Sequence, residues 1–280
     1  MKITALIENY SYKEGIAAQY GLSLLVQTGN SNILVDTGQN DMALNNFLVL
    51  GYDPSIIDAI VISHNHFDHI GGLQSFLDAT VEKAPPVYVS QGVGTDLYSK
   101  RLFSRKNLCS RNDLIEQNRP RVQFVSDALQ ILPNVFVCTV ANPDPDFVCK
   151  DRKLRMANES GRLIRDDFRH EAYLAILEAD GLKIVSSCSH NGIVNIAQDA
   201  AARFHQPVQT FVGGLHLRGK HHDTLNCSRA HVKQLVKAIN ELSIPTIHTC
   251  HCTGILGYQL IEKDYLGKIY YFSSGDQFSV

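Results

Sequence analysis

The run Ser63-His64-Asn65-His66-Phe67-Asp68-His69 puts three imidazoles and a carboxylate into six positions, directly after the apolar stretch Ala59-Ile60-Val61-Ile62. That stretch reads as a buried strand. Neutral imidazole and carboxylate are the donors that suit zinc and related transition metals, and four of them crowd together when a cation holds them. The fold must therefore bring further ligands to the end of this strand. Alternate strand residues share a face, so His64 and His66 converge on one ion if the chain stays extended past Ile62. Asp68 and His69 lie just beyond, where Gly71-Gly72-Leu73 suggests a tight turn into a helix, and they can face a second ion close by. Structural zinc sites are closed and usually use Cys. This cluster has no Cys and all its donors sit in one loop, which suits an open, water-bearing site. The plainer alternative is a solvated loop rich in His.

Composition narrows the setting. A chain of 280 residues allows one large domain or two small ones, and 44% hydrophobic residues suffice for a core. A net charge of −2 gives no electrostatic footprint for duplex nucleic acid. No stretch is long and apolar enough to span a bilayer. Met1–Glu8 reads as a strand rather than a signal peptide. Seven Cys without framework spacing fit a reducing cytosol. The expected setting is cytoplasmic, with a small anionic metabolite as partner and neither nucleic acid nor membrane; the oligomeric state stays open. Cys250 and Cys252 flank His251, and their plainer reading is small buried residues beside a site.

Strands and helices alternate along the chain. The patterns predict strands at Thr4–Glu8, Leu22–Gln27, Asn32–Asp36, Ala59–Ser63, Pro86–Val89, Val122–Phe124, Gln130–Leu132, Val135–Val140, Tyr173–Glu178, Lys183–Ser187, Thr210–Gly214, Thr246–Thr249 and Ile269–Phe272. Helices are predicted at Met42–Gly51, Gly72–Asp78, Ile193–Phe204, Ser228–Leu242 and Ile255–Leu266. In Ser228–Leu242 the residues Val232, Leu235, Val236 and Ile239 form the stripe of a helix packed on a sheet, with Ser228 as N-cap. Alone, these elements say only α/β or α+β.

One segment departs from the pattern. Between Thr95 and Arg121 the chain carries Lys100, Arg101, Arg105, Lys106, Arg111, Arg119 and Arg121, and a second basic patch runs Lys150-Asp151-Arg152-Lys153-Leu154-Arg155. The plainer reading is a solvated insertion. The functional one is a cap whose Arg and Lys grip an anionic, phosphate-bearing substrate.

The pattern His64-x-His66-x-Asp68-His69 followed by Gly71-Gly72 resembles the metallo-β-lactamase superfamily. So do Gly21–Val26 and Asn32–Gly38, which look like its opening hairpin with an Asp-Thr-Gly corner. Ser187-Cys188-Ser189-His190-Asn191-Gly192-Ile193, Gly213-Gly214-Leu215-His216-Leu217 and His251-Cys252-Thr253-Gly254 resemble one branch, the dihydropterin synthase-like group of ribofuranosylaminobenzene phosphate synthase type. The resemblance implies an α+β, four-layer αββα sandwich over residues 1–280 as a single domain, with a basic insertion or cap at about 91–168 near the active site. It also implies the ligands: His64, His66 and His190 for one ion, Asp68, His69 and His251 for the other. One or two divalent cations are expected, zinc by default, with iron or manganese also compatible.

The superfamily usually places a bridging carboxylate at a strand end before its last His. Here that position is Thr210–Gly214 followed by Leu215-His216, with no carboxylate. Less negative charge remains to hold two dications, so a weaker second ion or a single ion is expected. His170 and Glu171 are the nearest candidates to compensate. His216, after two glycines, reads as a catalytic group facing substrate, and Asp68 as the group that positions water or accepts its proton. Asp36 reads as a carboxylate that orients a ligand His through its other ring N–H, or as a turn former. Asn191-Gly192 and Thr253-Gly254 open helices that either attract anions or are capped by their own side chains.

Three functions follow. The first is metal-dependent hydrolysis of an anionic, phosphate-bearing ester or phosphodiester. The second is a transferase or synthase joining a dihydropterin to a ribofuranosylaminobenzene phosphate. The third is a non-enzymatic, metal-bearing metabolite-binding protein. An oxygen-reducing diiron role fits less well, since that branch has Glu where His66 stands.

Overall fold

A computed structural model describes residues 1–100, 104–221 and 223–280 of the chain; Arg101 of the basic segment lies outside the described residues. Two compact units emerge. The first comprises residues 1–126, 152–172 and 273–280; the second comprises 127–151 and 173–272.

The first unit is built on a seven-stranded sheet. Its order is Gln277–Ser279, Lys2–Ile7, Ser23–Thr28, Ser31–Val35, Ala59–Ile62, Val87–Ser90, Val122–Val125. The first three pairings are antiparallel and the last three parallel. Ala59–Ile62 is buried at every residue, as expected of a parallel strand covered on both faces. Helices Met42–Val49 and Leu73–Ala79 bring Phe47, Phe76 and Leu77 into a core with Leu34, Ile60 and Val87.

The basic segment forms a separate four-stranded antiparallel sheet in this unit, ordered Leu163–Arg165, Leu154–Ala157, Leu97–Lys100, Arg105–Asn107. The span 91–168 is not one body: Val122–Val125 extends the large sheet, and residues 127–151 belong to the second unit.

The second unit repeats the plan. Its sheet runs Lys268–Tyr271, Thr246–Thr249, Val208–Val212, Gly181–Val185, Tyr173–Glu178, Val135–Cys138, Ala128–Leu132. Its first three pairings are parallel and the other three antiparallel. Helices Ile193–Phe204 and Arg229–Glu241 cover it. Ser228 Oγ accepts from His231 N at 3.1 Å and caps the second helix, whose Val232, Leu235, Val236 and Ile239 are buried. A parallel strand delivers the chain from its carboxyl end into a crossover, and in open α/β sheets ligands gather at those ends. His64, His190, His216 and His251 all follow parallel strands of their own sheet.

His248, 8% exposed on strand Thr246–Thr249, stacks on Tyr270 with ring centroids 5.1 Å apart. Burial lowers its pKa to about 4. Between its ordinary value of 6.5 and about 4 the unfolded chain binds a proton that the folded chain does not. Stability is therefore full above about pH 6.5 and falls as pH drops through that window. We expect His248→Gln to flatten denaturant-measured stability between pH 7 and 4 by about 2 kcal/mol, after discounting solvent around the ring.

Candidate metal centre

The ligand loop of the first unit is organised by one buried carboxylate. Asp36 ends the strand Ser31–Val35 in the left-handed region, with φ of 58°. Its Oδ1 accepts from Ser63 N at 2.7 Å, and its Oδ2 accepts from Ser63 Oγ at 2.7 Å and His69 Nδ1 at 2.6 Å. Ser63 Oγ, with its own proton given to Asp36, accepts from His64 Nδ1 at 2.9 Å. This relay assigns the proton to Nδ1 in both rings, leaving Nε2 of His64 and His69 as the nitrogens with lone pairs. The predicted role of Asp36 toward a ligand His thus has a geometric basis, and Ser63 extends it to a second ring.

The donor atoms fit a cation. His64 Nε2 and His66 Nδ1 are 3.1 Å apart; two nitrogens on one tetrahedral zinc at about 2.0–2.1 Å would be about 3.3 Å apart. His69 Nε2 lies 3.6 Å from Asp68 Oδ2, a second convergent pair. Burial, then the charge of His170, lower the His66 pKa to about 3, so the ring is neutral as a ligand must be. His64, His66, Asp68 and His69 are each at most 6% exposed.

The chain is extended at His66 (φ −68°, ψ 141°), and the predicted helix after Gly71-Gly72 is present as Leu73–Ala79, but a further short turn of helix, Phe67–Ile70, precedes the glycines. Asp68 and His69 are therefore helical neighbours. The four-residue helix is anchored by Phe67 N donating to Leu108 O at 2.7 Å and Leu22 N donating to Asp68 O at 3.2 Å. Lys106 Nζ sits 4.1 Å from the centroid of the Phe67 ring. Other basic residues are committed to the scaffold: Arg105 stacks on Tyr98, Arg119 on Phe124, and Arg121 donates to the carbonyls of Leu77 and Pro85.

Asp166 and His170 stand beside His66. Asp166 Oδ2 lies 3.2 Å from His170 Nε2, and the ring centroids of His66 and His170 are 5.7 Å apart. One donor atom each of His66, Asp166 and His170 lies within 4.8 Å of the other two. Burial pushes the Asp166 carboxyl up, but His170 and the Phe168 N–H together hold it below its ordinary range. Glu171 is also buried. Sequence reasoning singled out His170 and Glu171 but missed Asp166, whose signal is its four-residue spacing from His170.

His190, His216 and His251 belong to the second unit. The His190 and His216 rings lie 4.2 Å apart, tilted by 47°. Cys149 joins them, with donor atoms of the three within 4.8 Å of one another. Residues Ser189, His216 and His251 all have positive φ, at 51°, 46° and 47°, a conformation that costs side-chain-bearing residues energy and clusters at functional sites. The Gly213–Leu217 segment is clamped onto the His251 loop. Leu215 N donates to Thr253 Oγ1 at 2.8 Å, and Leu217 N and Arg218 N donate to Cys252 O at 2.9 and 2.8 Å. A side chain at Gly213 would put Cβ 1.8 Å from Ser186 O, and one at Gly214 would put Cβ 2.4 Å from Cys252 Sγ. The packing thus explains why this strand end carries no carboxylate.

His216 lines a cavity of about 10 Å³ with Cys149, Ser189 and Asn226, room for roughly one water. Burial alone would lower the His216 pKa, but Cys149 and Cys252 hold it well above its ordinary value. Reciprocally, burial would raise the Cys252 thiol, but hydrogen bonds with Cys188 and His216 and the charges of His216 and His251 hold it well below. The N-cap of helix Ile193–Phe204 is Gly192, which has no side chain, and Thr253 makes no side-chain cap bond at the start of helix Gly254–Glu262. A Cβ at Gly192 would stand 2.0 Å from Phe147 O, and one at Gly254 would stand 3.0 Å from the Arg218 side chain, so both glycines lie under packed groups.

Asp36→Asn tests the relay. The amide keeps the shape but withdraws the charged acceptor from His69. We expect metal affinity, measured by competition with a chromogenic chelator, to weaken about 10–100-fold.

Comparison with known proteins places these features. Residues 17–134 match the family model for the metallo-beta-lactamase superfamily. A Methanocaldococcus jannaschii protein named 7,8-dihydropterin-6-methyl-4-(beta-D-ribofuranosyl)-aminobenzene-5'-phosphate synthase is 28% identical over 279 residues, covering 95% of this chain and 92% of that one. A solved metal-dependent hydrolase of the beta-lactamase superfamily superposes with a TM-score of 0.79 at 27% identity, covering 100% of this chain and 99% of that chain. Zinc-bound PqqB from Methylobacterium extorquens shares the fold, with a TM-score of 0.58 at 10% identity over 100% of both chains. The sheets flanked by helices are those of the metallo-beta-lactamase fold.

Proposed function

Because the chain carries a metallo-beta-lactamase superfamily domain, we propose that it is a metal-dependent hydrolase of an anionic, phosphate-bearing ester or phosphodiester. His64, His66 and His190 would hold one divalent cation, and Asp68, His69 and His251 a second, with zinc the first choice and iron or manganese compatible. The observation that carries this reading is the relay from Asp36 through Ser63, which turns the lone-pair nitrogens of His64 and His69 away from the carboxylate that fixes them. The bound cation supplies Lewis acidity, polarising the scissile group and acidifying water. Asp68 orients the attacking water and takes its proton. His216, held protonated by its thiol neighbours, donates a proton to the departing oxygen. Lys106 beside Phe67 offers positive charge to an anionic substrate.

The setting we infer is cytoplasmic, where free cysteines persist; among the described residues no helix is long and apolar enough to cross a membrane. A small anionic metabolite, rather than nucleic acid or a membrane, is the partner proposed.

The test is hydrolysis of a panel of aryl phosphodiesters, phosphomonoesters and carboxylic esters by chelator-stripped protein, before and after zinc, manganese or iron(II) is restored. Turnover that follows the metal supports the reading. Turnover unaffected by stripping, or absent across the panel with metal bound, overturns it.

The name of the 28% identical relative favours a second reading, joining of a dihydropterin to a ribofuranosylaminobenzene phosphate. Release of diphosphate only when a dihydropterin diphosphate and the aromatic amine are both present would favour synthesis. Tight retention of a metabolite without turnover of either kind would favour the binding protein.

A further inference from the structure

The second unit contains a donor set that joins one proposed ligand, His251, to two thiols that the proposed ligands do not include. Cys188 leaves the carboxyl end of strand Gly181–Val185, while His251 and Cys252 leave that of Thr246–Thr249. One donor atom from each of the three lies within 4.8 Å of the other two, and all three residues are buried. Neither cysteine is in a disulfide.

The backbone is shaped around this set. His251, with φ of 47°, opens a short 3-10 turn at His251–Thr253, so two consecutive side chains contribute to one cluster. Consecutive residues of a continuing strand would point to opposite faces. Gly214 faces the Cys252 sulfur with no Cβ of its own, since a Cβ there would stand 2.4 Å from Sγ. The thiol thus occupies space at the strand end that, in a chain with a carboxylate at that position, a side chain would need. Imidazole with two thiolates is a donor set for a borderline-soft cation, and each thiolate contributes the negative charge that the absent carboxylate does not.

We propose that Cys188 and Cys252 are metal ligands, binding with His251 a zinc-class cation through sulfur. The inference rests on the metal-centre reading above and deepens it: the site selects zinc, or cobalt as its spectroscopic substitute, over manganese. Each thiol gives up its proton to solvent as its Zn–S bond forms, with no change in oxidation state.

The test uses the full chain stripped of metal and titrated with cobalt(II), with binding followed by elemental analysis. A thiolate-to-cobalt charge-transfer band in the near ultraviolet is expected, falling by about half in Cys188→Ser or Cys252→Ser and vanishing in the double variant. Cys227→Ser, outside the set, should leave it unchanged. X-ray absorption on the unaltered zinc protein needs no variant, and should show a sulfur shell at about 2.3 Å. Cobalt bound without the band, a band that survives in the folded double variant, or a zinc spectrum with only nitrogen and oxygen neighbours would overturn the sulfur ligands alone and leave the metal centre standing. Protein that takes up no cobalt or zinc would overturn both.

Discussion

Asp68→Asn should lower hydrolytic turnover by about 10²–10⁴-fold, the range for loss of a positioned acid or base. The amide is nearly isosteric, and the backbone carbonyl of Asp68 still accepts from Leu22 N, so the fold should persist. What changes is charge: the carboxylate 3.6 Å from His69 Nε2 becomes a neutral group that neither takes a proton nor holds a dication well. Turnover number and metal content should be read on the same preparation. A fall in turnover at unchanged metal content assigns Asp68 to proton transfer, whereas a parallel loss of metal assigns it to ligation. Turnover within tenfold of the unaltered protein would remove Asp68 from the mechanism.

The second large effect is on stability. Gly213 has φ of 136°, and an added Cβ would lie 1.8 Å from Ser186 O. Its N–H donates to His248 O at 2.8 Å and its carbonyl accepts from Thr249 Oγ1 at 2.9 Å, so the backbone is tied on both sides. Gly213→Ala should therefore destabilise by about 4 kcal/mol, roughly half from overpacking and half from the disallowed torsion. A thermal melt should fall by roughly 10 °C. A melt within about 2 °C would mean that the strand end relaxes freely, contrary to its hydrogen bonding.

Much of the architecture was legible from residue pattern. Tyr173–Glu178, Thr246–Thr249 and helix Ile193–Phe204 have the predicted bounds, and the other predicted elements lie where periodicity put them, with shifted ends. These segments bury one face or both, and burial is what hydrophobic patterning records. The four-stranded sheet escaped notice because Arg105–Asn107 and Leu163–Arg165 expose most of their residues and carry Lys and Arg where a core strand would carry Val or Ile. Edge strand Gln277–Ser279 is too short to show a period. Helix Phe67–Ile70 was hidden for a similar reason: four residues, barely one turn, cannot display helical amphipathicity. At the candidate site, spacing and chemistry drew attention to His64, His66, Asp68 and His69, whereas His190, His216, His251 and Asp36 were singled out through the family resemblance. Ser63, Asp166, Cys149 and Cys188 were not, because Ser, Asp and Cys have many roles and only three-dimensional neighbours distinguish them.

Asp36, His216 and His251 all sit in left-handed backbone. Glycine would relieve each of these kinks but would discard the functional group. Selection for a sturdier chain would thus press hardest on residues proposed to aim the chemistry. At these three positions, conformational ease and the proposed roles compete, and the first cannot be improved without loss of the second.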